Sequence, residues 1–158
     1  MTLVVVAAIV GSGVVTGLLF AFSNFVMKAL ADLSDDAGLL AMQRINERII
    51  NPIFLLFFLG TPLLCTLIAV DCGFDFDRPG RVALLSGAIC YLVGPFGVTI
   101  LFNVPLNNRL AKTNVSDAGD RWNDYQVRWQ RWNHVRTYIG IVSIVLLALG
   151  LSKMSLGV

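Results

Sequence analysis

The chain has 158 residues, 56% of them hydrophobic and only 14% charged. A soluble domain usually carries about 25% charged residues, and here the apolar residues come in blocks rather than stripes, which excludes a water-soluble globular domain. The formal net charge is only +2, and its cations are those that membrane loops carry, so nucleic-acid binding has no support.

Four blocks, Leu3–Leu30, Ile49–Val70, Val82–Phe102 and Thr137–Leu151, are nearly free of charge. A helix crossing the ~30 Å hydrocarbon layer needs about 20 such residues. Three blocks reach that length outright, and the fourth does so once its polar start, from Asn133, is included. The expectation is an all-α, four-helix transmembrane bundle forming a single domain over residues 1–158. Its spans fall at about 3–30, 49–70, 82–102 and 134–152, with short amphipathic helices in loops one and three.

The first block has no cationic leader and runs far past a signal-peptide core, so it reads as a retained span. Gly13, Gly17 and Ala21 recur at four-residue intervals and make a smooth groove for a second helix. Packing within the chain is the preferred use of that stripe, and a homo-oligomer is the alternative. Phe20, Ser23, Asn24 and Met27 follow in the last two turns. Loop one then predicts an amphipathic helix capped by Ser34, Asp35 or Asp36, with Leu39, Leu40, Met42 and Ile45 or Ile49 as its apolar face. Asn51-Pro52 reads as the start of the next helix, since proline suits a first helical turn.

Cys65 and Cys90 lie inside spans and Cys72 in the loop after the second, so no disulfide framework emerges. Span three contains Pro95 and is followed by Pro105, and each proline removes a backbone donor. In lipid the freed carbonyls need another partner or a wet cavity, so this span is expected to line something. Loop three is long. Its second half has helical spacing and runs into, or bends into, span four.

The cations are distributed unevenly. Lys28, Arg44 and Arg48 lie in loop one, and Arg109, Lys112, Arg121, Arg128, Arg131 and Arg136 in loop three. Loop two has only Arg78 and Arg81. The positive-inside bias then places loops one and three in the cytoplasm and both termini outside.

On a helix Trp129, Trp132, Asn133, Arg136 and Gly140 share one face, while Arg128 and Arg131 point elsewhere. Gly140 leaves room for a bulky group one turn deeper. Aromatic belts and snorkelling arginines account for Trp122 and Arg128. They do not account for an asparagine beside an arginine at the mouth of a bundle, because polar groups at that depth tend to face inward and mark function. Thr99, Asn103 and Asn107 are spaced by four across the Pro105 break. They are either helix caps or, with Ser23, Asn24, Asn46 and Asn51 at the same depth, an oxygen-recognising rim over an aromatic pocket.

The order of "AFSNFVMKAL", "AMQRINERIINPIF", "TILFNVPLNNRLA" and "WNHVRT" before the last span resembles the anthrone oxygenase family of small four-helix membrane proteins. The likeness covers almost the whole chain. It implies an integral protein of a bacterial inner membrane. Fungal members oxidise anthrones to anthraquinones with molecular oxygen, and no flavin or metal is known to be required, so the resemblance implies no cofactor. Its implied partners are the lipid bilayer, O2 and a hydrophobic aromatic small molecule. A cofactor-free oxygenase needs an oxyanion site and a dry pocket. Arg136, Asn103, Asn107 and Asn133 suit the first as preorganised donors. Trp129, Trp132, Phe20 and Phe102 suit a flat polycycle. His134 is either a base, by its near-neutral titration, or an interface residue, since it is turned ~100° from Asn133.

Rival chemistries lack their residues. One histidine, no CxxC and no intramembrane carboxylate leave too few ligands for a haem or metal site, no paired thiols for a quinone reductase, and no acidic residue for a proton-coupled exporter. The remaining alternative is a non-enzymatic membrane protein that binds a lipid or quinone-like ligand or scaffolds a partner.

Overall fold

The computed structural model describes residues 1–156, and among them no strand occurs. In chain order the helices are α1 (Thr2–Ala21), a π-helical turn (Phe22–Val26), α2 (Met27–Ala31), α3 (Asp35–Arg48), α4 (Pro52–Phe74) and α5 (Arg81–Tyr91). A twelve-residue π-helical segment (Leu92–Asn103), α6 (Val104–Leu110), a 3-10 turn (Val115–Asp117) and α7 (Ala118–Leu156) complete the chain. Four helical stretches are long and apolar enough to cross a membrane: Thr2–Ala31, Pro52–Phe74, Arg81–Leu110 and Val115–Leu156. The all-α bundle read from the sequence is the fold.

Local signals explain the boundaries. Ser34 stands at the N-cap position of α3 with an extended backbone but makes no side-chain capping bond, whereas Asn51 Oδ1 accepts from Phe54 N–H at 3.0 Å to start α4 at Pro52. Loop three does not bend into span four. α7 is one uninterrupted helix of 39 residues, because nothing between Ala118 and Leu156 is a proline. Cys72 lies in the last turns of α4 rather than in a loop. The loop that follows is pinned by Arg81, which donates to Cys72 O at 2.6 Å, and by Arg78, which pairs with Asp71 at 2.8 Å and Asp75 at 3.1 Å. All three cysteines are free.

The interior is layered along the bundle. At the end formed by loops one and three, hereafter the basic end, Met27, Leu30, Leu39, Met42, Leu106 and Leu110 pack with Trp122, Tyr125 and Trp129. Trp122 is fully buried there and is not a belt residue. It lies against Gly38 of α3, where a Cβ would meet its indole nitrogen at 2.8 Å. Leu40, expected on the buried face of α3, is exposed, and the contact is carried by Leu39 and Met42 with Ala41 and Ile45 packed beside them. At the opposite end Val5, Ala8, Ile68, Leu84, Ala88 and Leu147 form the core, joined by Cys65, Cys72 and Tyr91.

Small residues set the closest approaches, as expected where lipid gives helices no hydrophobic reason to associate. Ser143 of α7 donates to the Gly87 carbonyl of α5 at 2.7 Å, and a Cβ on Gly87 would meet Leu147 at 2.9 Å. The Gly13/Gly17 stripe is a different case. A Cβ on either glycine meets nothing within 4 Å, so the expected packing within the chain does not use it. The faces that meet other helices instead carry Gly11, Ser12, Val15, Thr16 and Leu19.

The contrast between the glycines is testable. Gly87→Ala overpacks a sealed contact and is expected to cost about 1–3 kcal/mol. Gly13→Ala, open and helical, stays within about 0.5 kcal/mol of the parent. Thermal unfolding in detergent measures both.

Candidate functional site

Between the two apolar layers, α1, the π-helical segment and α7 enclose a polar cluster centred on Arg136. Arg136 is 5% exposed, Asn133 0% and Asn103 1%. They converge because α7 presents Trp122, Tyr125, Trp129, Asn133, Arg136, Thr137 and Gly140 inward at helical spacing.

Asn133 is the anchor. Its amide nitrogen donates to Leu19 O at 2.9 Å and Ser23 Oγ at 2.7 Å, both on the first span. The Ser23 hydroxyl lies 3.2 Å from Thr137 Oγ1, which itself donates to Asn133 O at 2.7 Å, closing a ring. With both donors committed, the Asn133 oxygen must face Arg136, and it accepts from Nε at 3.1 Å and from Nη2 at 2.8 Å. Asn133 therefore positions the guanidinium and has no donor left for a ligand.

The other side of Arg136 is set by the broken third span. Pro95 and Pro105 lack amide hydrogens, and the segment from Leu92 to Asn103 winds as a π-helix, a rare geometry that is frequent at functional sites. Thr99 donates its hydroxyl to Pro95 O at 2.5 Å and accepts from Arg136 Nη1 at 2.8 Å. A guanidinium has five N–H donors, and three are engaged, so two have no acceptor among the described residues. No carboxylate pairs with Arg136; the ion pairs among the described residues lie elsewhere. Its one further partner is the Trp129 ring, 5.1 Å from the guanidinium carbon.

The aromatic wall is fixed in turn. Asn107 Oδ1 accepts from Trp129 Nε1 at 2.8 Å and from Tyr125 OH at 2.9 Å, and Phe22 packs on Trp129 at 5.4 Å between ring centroids. Asn103 Nδ2 donates to Trp129 O at 3.3 Å, and its oxygen is buried without a partner, as is Asn46 Nδ2. Trp132 stacks on Phe102 with ring centroids 3.7 Å apart, at the partly exposed edge of the bundle.

Several expected residues lie elsewhere. Phe20 is 50% exposed and Asn24 is exposed, both on the outer face of the first span. His134 is half-buried beside Tyr138, with 6.3 Å between ring centroids, and takes no part in the network. Asn51 caps α4. The room foreseen beside Gly140 is filled: a Cβ there would meet Thr16 Oγ1 at 2.5 Å and Pro95 at 3.0 Å. Sequence reading missed Tyr125, Thr137, Phe22 and Gln130, which donates to Ser23 O at 3.2 Å. Extending the Trp129–Asn133–Arg136 period one turn each way would have found the first two. Among the described residues no group of His, Cys, Asp or Glu gathers to hold a metal ion.

This is a small four-helix membrane protein with an arginine sealed among neutral partners. A family model described as anthrone oxygenase matches residues 53–146, and the chain belongs to that family. No curated protein and no solved structure matches the chain. The matched segment holds Asn103, Asn107, Asn133 and Arg136, while Ser23 and Leu19, which anchor Asn133, precede it.

Asn133→Ala would take the acceptor from both Arg136 Nε and Nη2, each buried orphan donor costing about 1–3 kcal/mol, so a loss of about 3 kcal/mol is expected. His134→Ala should stay within about 0.5 kcal/mol of the parent. Thermal unfolding of the two variants side by side checks the difference.

Proposed function

We propose that the protein is a membrane-embedded oxygenase that oxidises a planar phenolic or enolic substrate with O2, binding its anion at Arg136. The observation that carries this reading is the buried guanidinium with no carboxylate and two uncommitted N–H donors. Isolating a cation costs several kcal/mol unless a counter-charge arrives. An enolate or phenolate supplies that charge, and the guanidinium, little screened in its low-dielectric surroundings, favours it over the neutral form.

The chemistry balances without a further reagent. An enol at Arg136 loses its O–H proton to water. The anion passes one electron to O2, and recombination of the carbon radical with superoxide forms a C–O bond. The peroxide takes up a proton, and loss of the remaining C–H proton with O–O cleavage leaves a ketone and water. One CH2 and one O2 thus give one C=O and one H2O. Arg136 stabilises the oxyanion, Asn133 and Thr99 hold Arg136 in place, and Trp129, with Phe22 and Tyr125 behind it, is the flat wall. Asn103 and Asn46 offer an unpaired acceptor and donor for a second oxygen on the ring system. His134 is assigned no step.

Loop three carries a charged, open groove that includes Arg109, Lys112, Arg128 and Tyr125. Tyr125 connects it to Asn107, so we take the basic end, facing the cytoplasm, as the side from which substrate arrives.

Oxygen uptake by purified protein with anthrone or hydroquinone substrates tests the assignment. Arg136→Lys should lose about 100-fold or more in kcat/KM, the scale of a lost oxyanion donor, while Phe20→Ala stays near parental activity. Equal uptake by the parent and Arg136→Lys would refute the oxyanion role. Saturable binding with no uptake would favour a ligand carrier.

A further inference from the structure

Deeper in the bundle lies a second polar set that the chemistry above does not use. Ser12 and Thr16 stand one turn apart on the buried face of α1, with Thr61 in α4 and Tyr91 at the end of α5, and all four are buried. They belong to one region. Thr61 Oγ1 sits against Gly11, so closely that no Cβ fits there, which brings α4 to α1 beside Ser12. Thr16 Oγ1 lies against Gly140 of α7 and beside Pro95. The Tyr91 hydroxyl is directed toward Thr61 without closing a hydrogen bond.

The hydroxyls of Ser12, Thr16 and Tyr91 are buried and have no partner among the described residues. That is unusual for this chain. Thr66, Thr99 and Thr137 all donate to the carbonyl one turn earlier, at 2.8, 2.5 and 2.7 Å, the ordinary remedy for a helical hydroxyl in an apolar setting. Ser12 and Thr16 forgo it. Buried hydroxyls kept free, side by side, are what an internal water needs, since it takes two to four polar partners.

The set also has a direction. Along α1 the stripe runs Ser12, Thr16, Ser23, and Ser23 belongs to the Asn133 ring. Along α7, Gly140, which touches Thr16, is one turn from Thr137 of the same ring. The other end is shut: Tyr91 is part of the apolar cluster of Val5, Ala8, Ile68, Leu84 and Leu147.

We propose that Ser12, Thr16, Thr61 and Tyr91 hold a short file of bound water inside the bundle, continuous with the Arg136 cluster and closed toward the opposite end. If the oxygenase reading holds, the file receives the enol proton and the water formed at Arg136 without opening the site to lipid. The file itself does not depend on that reading.

Thiol accessibility tests it. Ser12→Cys and Thr16→Cys, with Ala8→Cys and Val15→Cys as equally buried apolar controls, are treated with methyl methanethiosulfonate in detergent. Adducts are located by peptide mass, with the parent (Cys65, Cys72 and Cys90) as background. The thiolate attacks the reagent's thiosulfonate sulfur and expels methanesulfinate, and it forms only where water reaches, so Ser12→Cys and Thr16→Cys should react on the order of tenfold faster than the controls. Protection of both to the level of Ala8→Cys overturns the proposal. Where a cysteine variant does not fold, Thr16→Val and Tyr91→Phe decide: a lowered Tm in both supports water-bound hydroxyls, and an unchanged or raised Tm in either overturns them. Oxygen uptake is a separate readout, so a dry file and an inactive Arg136 are told apart.

Discussion

The bundle is organised around the cost of keeping one guanidinium out of water. Arg136 sits between two apolar layers with only neutral acceptors, Asn133 and Thr99, and one indole face. None of these cancels its charge. The arrangement persists because Asn133 is itself tied to the first span through Leu19 and Ser23. A flexible amide would turn to spread its hydrogen bonds; this one is locked with its oxygen toward the cation. The orientation of the guanidinium on α7 thus depends on a backbone carbonyl more than a hundred residues earlier.

The third span supplies the complementary half by failing to be a regular helix. Two prolines leave its carbonyls short of amide donors, and within the wider winding between Leu92 and Asn103 Thr99 serves Pro95 and Arg136 at once, as Thr137 serves Asn133 and Ser23 on α7. Asn107, beyond the second proline, then holds Trp129 and Tyr125 by a single oxygen, which sets the aromatic wall at the depth of the cation.

Much of this was legible in the sequence. Block hydropathy sufficed for four spans, and the seven-residue reach from Trp129 to Arg136 was enough to put both on one face of a helix. The positions of Phe20, Asn24 and His134 were harder, because residue type and depth say nothing about rotation around a helix axis until its packing partners are known. The Gly13/Gly17 stripe misled for the same reason: its neighbours Ser12 and Thr16 are also small, and α1 packs through those instead. The space beside Gly140 was a matter of volume, and the side chains that fill it, Thr16 and Pro95, come from two other spans.

α7 has 39 residues, and at 1.5 Å per residue it is about 58 Å long, nearly twice the ~30 Å hydrocarbon thickness. Arg136 stands close to its midpoint. A rod that long reaches well beyond the hydrocarbon layer, and it is held along its length, by Trp122 against Gly38 of α3 near one end and by Ser143 and Leu147 against Gly87 of α5 toward the other. One unbroken helix therefore fixes how far the buried guanidinium lies from the charged loop at the basic end.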